Sequence, residues 1–162
     1  MDCRHIQFCL DKSKIDLIQL QNLYNITSFW ARDRQIEDLE IAIANSNPVV
    51  SVWDGNRMIG CARATSDGIY RATIWDVVID PDYQGFGLGR KLVETVLSHP
   101  LLNRVERVYL MTTYQQNFYQ RIGFEENQST TMILYNSEAP KPLPILEQQT
   151  QAKLEELSTV FV

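Results

Sequence analysis

The stretch Trp75-Asp76-Val77-Val78-Ile79-Asp80-Pro81-Asp82-Tyr83-Gln84-Gly85-Phe86-Gly87-Leu88-Gly89-Arg90-Lys91-Leu92 decides how the chain is read. Its opening residues extend an apolar, β-branched and aromatic run that starts at Tyr70, so Tyr70 to Ile79 reads as a central strand. Asp80-Pro81 ends the strand. Glycines at 85, 87 and 89 then lead into Leu92, Val93, Val96 and Leu97, the spacing of an amphipathic helix closed near His99-Pro100. The N–H groups at a helix N-terminus lack partners and carry the positive end of the dipole. Glycines there let a phosphate approach without a Cβ in the way, and Arg90 and Lys91 add charge at the rim. Physically this is a pyrophosphate cradle, and the plainer alternative is a glycine-rich turn that holds nothing. The P-loop spacing fails, because Gly85 is followed five residues later by Arg90 and Gly87 by Leu92. The dinucleotide pattern GxGxxG fails too, because the glycines stand two and two apart.

Working outward toward the N-terminus, Met58 to Thr65 and Val49 to Trp53 read as strands, joined by the turn residues Asp54-Gly55-Asn56-Arg57. Ser66-Asp67-Gly68 makes the next tight turn. Before Pro48 lies an amphipathic helix on Ile36, Leu39, Ile41 and Ile43. Before that comes a helix on Ile15, Leu17, Ile18, Leu20 and Leu23 that Ser13 can cap, and Arg4 to Leu10 is an opening strand. Toward the C-terminus, Val105 to Thr112 reads as a strand, Gln115 to Arg121 as a short helix stopped by Gly123, and Thr130 to Tyr135 as a last strand. The order β-α-α-β-β-β-α-β-α-β gives a mixed α/β (α+β) fold, a mostly antiparallel sheet flanked by helices. Residues 1–136 form one domain. Residues 137–162 hold a linker with Pro140, Pro142 and Pro144, then an amphipathic tail with Leu154, Leu157, Val160 and Phe161. That tail either docks on its own domain or meets a second subunit.

With 162 residues, 44% of them hydrophobic and 22% charged, the chain has the length and composition of a single globular domain with a proper core. A net charge of −5 argues against a nucleic-acid binder that works by neutralising phosphates, and it suits a cationic substrate such as an amine. Cys3, Cys9 and Cys61 show no CxxC pairing, and His5 and His99 are the only histidines, so no metal site is expected and the cysteines read as buried small hydrophobes. The N-terminus lacks the apolar run of a signal peptide, and no stretch approaches the roughly 20 apolar residues of a membrane span. The expectation is a cytoplasmic protein, monomer or homodimer, with no nucleic-acid or membrane partner.

Two motifs together carry a family resemblance. Gln84-x-x-Gly87-x-Gly89, after an apolar strand and Asp80-Pro81, resembles the Q/R-x-x-G-x-G/A signature of GNAT acetyltransferases. Phe118-Tyr119-Gln120-Arg121-Ile122-Gly123-Phe124 resembles that family's second signature, F/L-Y-x-x-x-G-F, in the right order and at the right separation. The resemblance covers about residues 5 to 135. Ala62-Arg63-Ala64-Thr65, Asp67-Gly68 and Ile74-Trp75-Asp76-Val77-Val78 look like the plastid and cyanobacterial members, called serotonin N-acetyltransferases or plastid protein acetyltransferases.

The resemblance implies acetyl-CoA as cosubstrate and a primary amine as acceptor, either an arylalkylamine such as serotonin or a protein lysine or N-terminal amine. It implies a cofactor strand splayed from its neighbour, whose backbone at Val77, Val78 and Ile79 pairs with the pantetheine arm. The pyrophosphate would then sit on Gln84, Gly85, Phe86, Gly87, Leu88, Gly89 and Arg90. Tyr119 falls where the family tyrosine protonates the departing thiolate, and a Val78 N–H would polarise the thioester carbonyl. Asp76, the acid inside the apolar strand, is either the base or one half of a salt bridge to Arg63 or Arg71, with Asp67 and Tyr70 as weaker candidates. One departure is Thr112, where the family often has Asn. Tyr24, Phe29 and Trp30 lie in the segment that covers the acceptor site in the family, or else pack in the core. The alternative to an enzyme is a catalytically silent acyl-CoA-binding sensor module.

Overall fold

The computed structural model describes residues 3–129 and 131–134. Five strands, β1 (Gln7–Cys9), β2 (Val49–Asp54), β3 (Arg57–Ser66), β4 (Arg71–Ile79) and β5 (Arg107–Tyr109), form one sheet in chain order. The first three pairings are antiparallel, and β4 with β5 is parallel. Helices α1 (Leu17–Thr27) and α2 (Ile36–Ala44) precede β2, α3 (Leu88–Leu97) crosses between β4 and β5, and α4 (Gln116–Gln120) follows β5. The mixed, mostly antiparallel sheet flanked by helices is the fold that the order of elements predicted. Among the described residues no helix is long and apolar enough to cross a membrane.

Each face of the sheet has its own core. On one, Leu88, Leu92, Val93 and Val96 of α3 bury against Val50, Ile59, Ala62 and Ile74. On the other, Leu20, Leu23 and Tyr24 of α1 and Leu39 and Ile43 of α2 bury against Val49, Cys61 and Val78. Strand alternation explains the division, since neighbours such as Cys61 and Ala62 point to opposite sides. Ile41 of α2, expected in the apolar stripe, faces solvent instead.

Some boundaries depart from the sequence reading. Asp16, not Ser13, caps α1, its Oδ1 accepting from the N–H groups of Ile18 (3.0 Å) and Gln19 (3.1 Å). Ser13 lies in a preceding 3₁₀ turn over Lys12–Lys14, itself capped by Asp11. A carboxylate two residues before the second helical amide outcompetes a hydroxyl farther back. The strand expected over Val105 to Thr112 shrinks to three residues because it pairs only with Arg71, Ala72 and Thr73. Residues 131–134 carry no regular structure, so the last expected strand is absent from its described part. Among the described residues none pairs with it. The compact unit ends at Glu126. The proposed linker and tail, 137–162, lie outside the described residues.

Gly60 on β3 is a position with no room for a side chain. A Cβ there would stand 2.6 Å from Ile79 Cδ1 and 3.1 Å from the Val78 carbonyl oxygen. The backbone oxygen cannot swing away as a side chain can. Gly60→Ala is expected to destabilise the fold by roughly 1–3 kcal/mol through overpacking. Urea denaturation would read this as a lower midpoint with an unchanged slope.

Candidate functional site

The site is built around an irregularity in β4. Cys61 pairs with Val78 and Arg63 with Trp75, so Ala62 is opposed by two residues, Asp76 and Val77. This is a β-bulge, and Asp76 takes the strain with φ 54°, a left-handed conformation uncommon outside glycine. The bulge shifts the alternation by one. Ala72 and Ile74 face the α3 side, and beyond the bulge Val77 and Ile79 face that same side. Without the extra residue Asp76 would enter the α3 core. With it, Asp76 sits on the α1–α2 face beside Arg63.

There its carboxylate is held by two guanidiniums. Arg63 Nε donates to Asp76 Oδ2 at 2.7 Å and Arg34 Nη1 donates to the same oxygen at 2.9 Å, with the Asp76 side chain only 6% exposed. The salt bridge to Arg63 is therefore formed, whereas Arg71 pairs with Glu106 at 3.3 Å. Arg34 has no signal in the sequence. It is one of two arginines, with Arg32, in an irregular segment where no periodicity applies.

Among the described residues, β4 has no strand partner on its β5 side beyond Thr73, where the pairing with Tyr109 stops. Which groups the free edge offers follows from alternation. Ala64 turns its N–H and C=O to the β2 side, bonding Pro48 O and Asn47 N, so Arg63, Cys61 and Ile59 turn to β4. Ile59 O accordingly accepts from Asp80 N at 2.8 Å. The backbone of Val78 is thus spent on Cys61, and the edge presents Val77 and Ile79. The Val78 backbone, expected to polarise the carbonyl, is the one that the ladder pairs with Cys61.

The loop follows directly. Gln84 Nε2 donates to Ile79 O at 2.9 Å, and its N–H donates to Pro81 O at 3.2 Å. Gln84 therefore braces loop to strand. Gly85 and Gly87 have φ of 81° and 80°, and a Cβ on either would meet nothing within 4 Å. Glycine is needed here for backbone conformation rather than for packing. Gly87 is also the N-cap of α3 and supplies no side-chain cap, so the N–H groups of Gly87, Leu88, Gly89 and Arg90 are those that an α-helix leaves without an intrahelical acceptor. Leu88 sends its side chain into the core, and Phe86 stays exposed. The two expected rim charges are engaged elsewhere. Arg90 Nε bonds Glu94 at 2.7 Å, and Lys91 Nζ lies 4.5 Å from the centre of the Phe8 ring. The positive potential of the cradle comes from backbone amides.

α4 closes the site. Phe118 Cζ stands 3.5 Å from where a Gly89 Cβ would be. Tyr119 meets Phe118 edge-on at 4.9 Å and Phe124 at 5.9 Å, and it packs against the cluster that Val77 and Ile79 join. Gly123, with φ 108°, lets Phe124 N–H return to Tyr119 O at 3.1 Å, which ends the helix as expected. Burial pushes the Tyr119 phenol up to about 12, so it is a neutral donor at physiological pH. Tyr119 and Asp76 thus lie on opposite faces of β4, on either side of its open edge.

The weaker candidates fall away from this place. Asp67 Oδ1 accepts from the N–H groups of Ile69, Tyr70 and Arg71, bonds that hold its carboxyl below the usual range and spend it on the hairpin turn. Asp67 and Tyr70 lie at the start of β4, roughly 25 Å of strand from the loop. Tyr24 is core, while Phe29 and Trp30 remain 45% and 46% exposed. Thr112 caps the approach to α4 by accepting from Gln115 N at 3.1 Å. His5 pairs with Asp54 at 3.1 Å. The Cys61 thiol is pushed up to about 12 by burial and is inert.

An open strand edge leading to an uncapped, glycine-lined helix N-terminus can take an amide-bearing arm and a diphosphate in sequence, and the two faces beside it offer a carboxylate and a phenol. Comparison with known proteins gives the class. The family model "Acetyltransferase (GNAT) family" matches residues 17–124, and the chain belongs to that family. A protein named uncharacterized N-acetyltransferase ycf52-like, from Prochlorococcus marinus, is 42% identical over 115 residues, covering 68% of this chain and 63% of its own length. A Glycine max protein named histone acetyltransferase TAP1 is 39% identical over 123 residues, covering 68% of this chain and 52% of its own. The chain thus spans about half to two thirds of the length of these relatives. A crystal structure of a GNAT-family protein from Xanthomonas campestris pv. campestris superposes with a TM-score of 0.72 at 27% identity, covering 82% of this chain and 94% of that one.

Proposed function

We infer that the chain is an acetyl-CoA-dependent N-acetyltransferase, moving the acetyl group to a primary amine by direct attack in a ternary complex. The observation that carries this reading is the continuous path from the β4 edge at Val77 and the Ile79 N–H, the Ile79 carbonyl being taken by Gln84, to the amides of 85–90. Acetyl-CoA fits that path. Its diphosphate needs donors without Cβ atoms in the way, as at Gly85 and Gly87, and its pantetheine amides need an unpaired strand edge. When bound, it supplies the activated acetyl thioester.

The chain's own residues do the rest. The Val77 N–H, fixed in direction by the bulge, meets the thioester oxygen as negative charge grows on it. Asp76 receives the amine proton through Oδ1, because both arginine bonds fall on Oδ2. Tyr119 donates a hydrogen bond to the sulfur from the opposite face. Its proton stays largely in place. Burial, which pushes the phenol up to about 12, makes it a hydrogen-bond donor rather than a ready source of the proton. The net proton on coenzyme A then comes from the amine by way of solvent.

Asp76→Asn keeps the shape and an acceptor for both arginines but loses the charge. Turnover is expected to fall at least tenfold and the acidic limb of the pH–rate profile to change, with acetyl-CoA affinity within about twofold. An unchanged profile would make Asp76 purely structural. The acceptor is an arylalkylamine or a protein amine, and exposed Phe29 and Trp30 in the α1–α2 segment support an acceptor with apolar surface near its amine. Turnover against phenethylamine, tryptamine, spermidine and lysine-bearing peptides, read as free thiol, tests this. Binding of acetyl-CoA with no thiol release from any of them would identify a sensor module instead.

A further inference from the structure

Asp76 stands at the middle of a chain of contacts that reaches well beyond the bulge. Arg34 lies at the end of the segment joining α1 to α2, one residue before the α2 N-cap Gln35. Its guanidinium donates to Asp76 Oδ2 at 2.9 Å while lying 5.3 Å from the Trp30 ring and 5.5 Å from the Tyr24 ring. On the other side of Asp76, Arg63 donates at 2.7 Å and lies 5.8 Å from the Trp75 ring. The order is indole, guanidinium, carboxylate, guanidinium, indole. Trp75 is itself fixed, its Nε1 donating to Thr65 Oγ1 at 2.9 Å.

The two ends are held differently. Arg63 and Trp75 sit on paired strands, so the sheet fixes their geometry. Trp30 sits in an irregular segment that includes the short-range bonds Ala31 N–H to Ser28 O at 3.2 Å and Asp33 N–H to Asn25 Oδ1 at 3.1 Å. Arg34 is anchored to α1 through its carbonyl, which accepts from Gln21 Nε2 at 2.7 Å, and to β4 through its side chain. The Tyr24 and Trp30 rings lie 6.3 Å apart, so the guanidinium sits beside the pair, in cation–π range of both, while aiming an N–H at the carboxylate. A lysine would keep the charge and lose the planar group's broader contact with the rings.

We propose that Arg34 is a positioning residue, which registers the α1–α2 segment, with Trp30 on it, against the bulged cofactor strand through Asp76, and so sets where the acceptor amine meets the carboxylate. This rests on the acetyltransferase reading, in which that segment borders the acceptor. Arg34 does not touch the diphosphate cradle, which lies on the loop after β4. Its loss should therefore be felt by the acceptor and not by acetyl-CoA.

The test has a kinetic arm and an arm independent of acceptor. With phenethylamine and a lysine-bearing peptide as probes, Arg34→Met is expected to raise KM for the amine about tenfold or more, with KM for acetyl-CoA within about twofold. Arg34→Lys should recover part of the loss. Equal changes in both KM values, or a fall in kcat alone, would overturn the proposal. In the second arm, hydrogen exchange of residues 28–35 is followed in Arg34→Met, Asp76→Ala and the double variant. Loss of protection should match in the two single variants and not add in the double, since both remove one link. Unchanged protection of 28–35 in Asp76→Ala would overturn it. If the wild-type protein acetylates neither probe, the acceptor reading has failed, and the exchange arm alone decides whether Arg34 registers the segment.

Discussion

Gly89→Glu is expected to remove acetyl-CoA binding while leaving the fold intact. Gly89 is the better site for this test than Gly87, because Gly87 has φ 80° and any side chain there strains the backbone. At Gly89 no positive φ is involved, and an added Cβ meets Phe118 and Ile79 at 3.5 to 3.8 Å, ordinary van der Waals contact. Gly89→Ala should accordingly fold and bind within a few-fold of wild type. The glutamate places a carboxylate against a bound diphosphate. At about 5 Å and an effective dielectric near 20 each unit of like charge costs about 3 kcal/mol, or roughly 10²-fold in affinity. Two facing charges on the diphosphate push this beyond a calorimetric measurement. If a folded Gly89→Glu variant binds as tightly as Gly89→Ala, the loop is not the cradle.

Tyr119→Phe carries the second large effect. The ring packs against Phe118 and Phe124 by its edges and face, and among the described residues the hydroxyl has no hydrogen-bond partner, so the variant keeps the packing and leaves nothing orphaned. Stability should stay within about 0.5 kcal/mol. What is lost is the donor beside the sulfur. Losing one preorganised donor to developing charge costs roughly 10²–10³-fold, so kcat should fall about 10²-fold with acetyl-CoA affinity unchanged. The phenol near 12 also predicts that no basic limb of the wild-type pH–rate profile below about pH 10 disappears in the variant. Undiminished turnover would make Tyr119 a packing residue.

Much of this was legible before any coordinates. The strand, the turn chemistry and the glycine loop are local signals, and β4, the loop and α3 fall where those signals put them. The splay at β4 was implied by family resemblance alone, because strand pairing is a long-range property that one segment does not encode. Other features of the site do not show in the local run. The bulge at Asp76 depends on the register against Ala62, not on anything unusual in the run Trp75-Asp76-Val77-Val78. Gln84 matches a motif position, but its side chain bonds the strand rather than facing the cradle. Arg90 and Lys91 were sensible as rim charges by position, yet Glu94 one turn along and the Phe8 ring on β1 take them up. Arg34 is the furthest case. It lies 42 residues from Asp76 in sequence, and only the tertiary packing of the α1–α2 segment brings the two together.

The most direct test is a single incubation of the purified protein with acetyl-CoA labelled in its acetyl group and the panel of primary amines, analysed by mass spectrometry and by free thiol. Transfer of label to at least one amine, equimolar with thiol released and abolished by Gly89→Glu, is the predicted result. Tight binding of acetyl-CoA with label remaining on coenzyme A in the presence of every amine would contradict it.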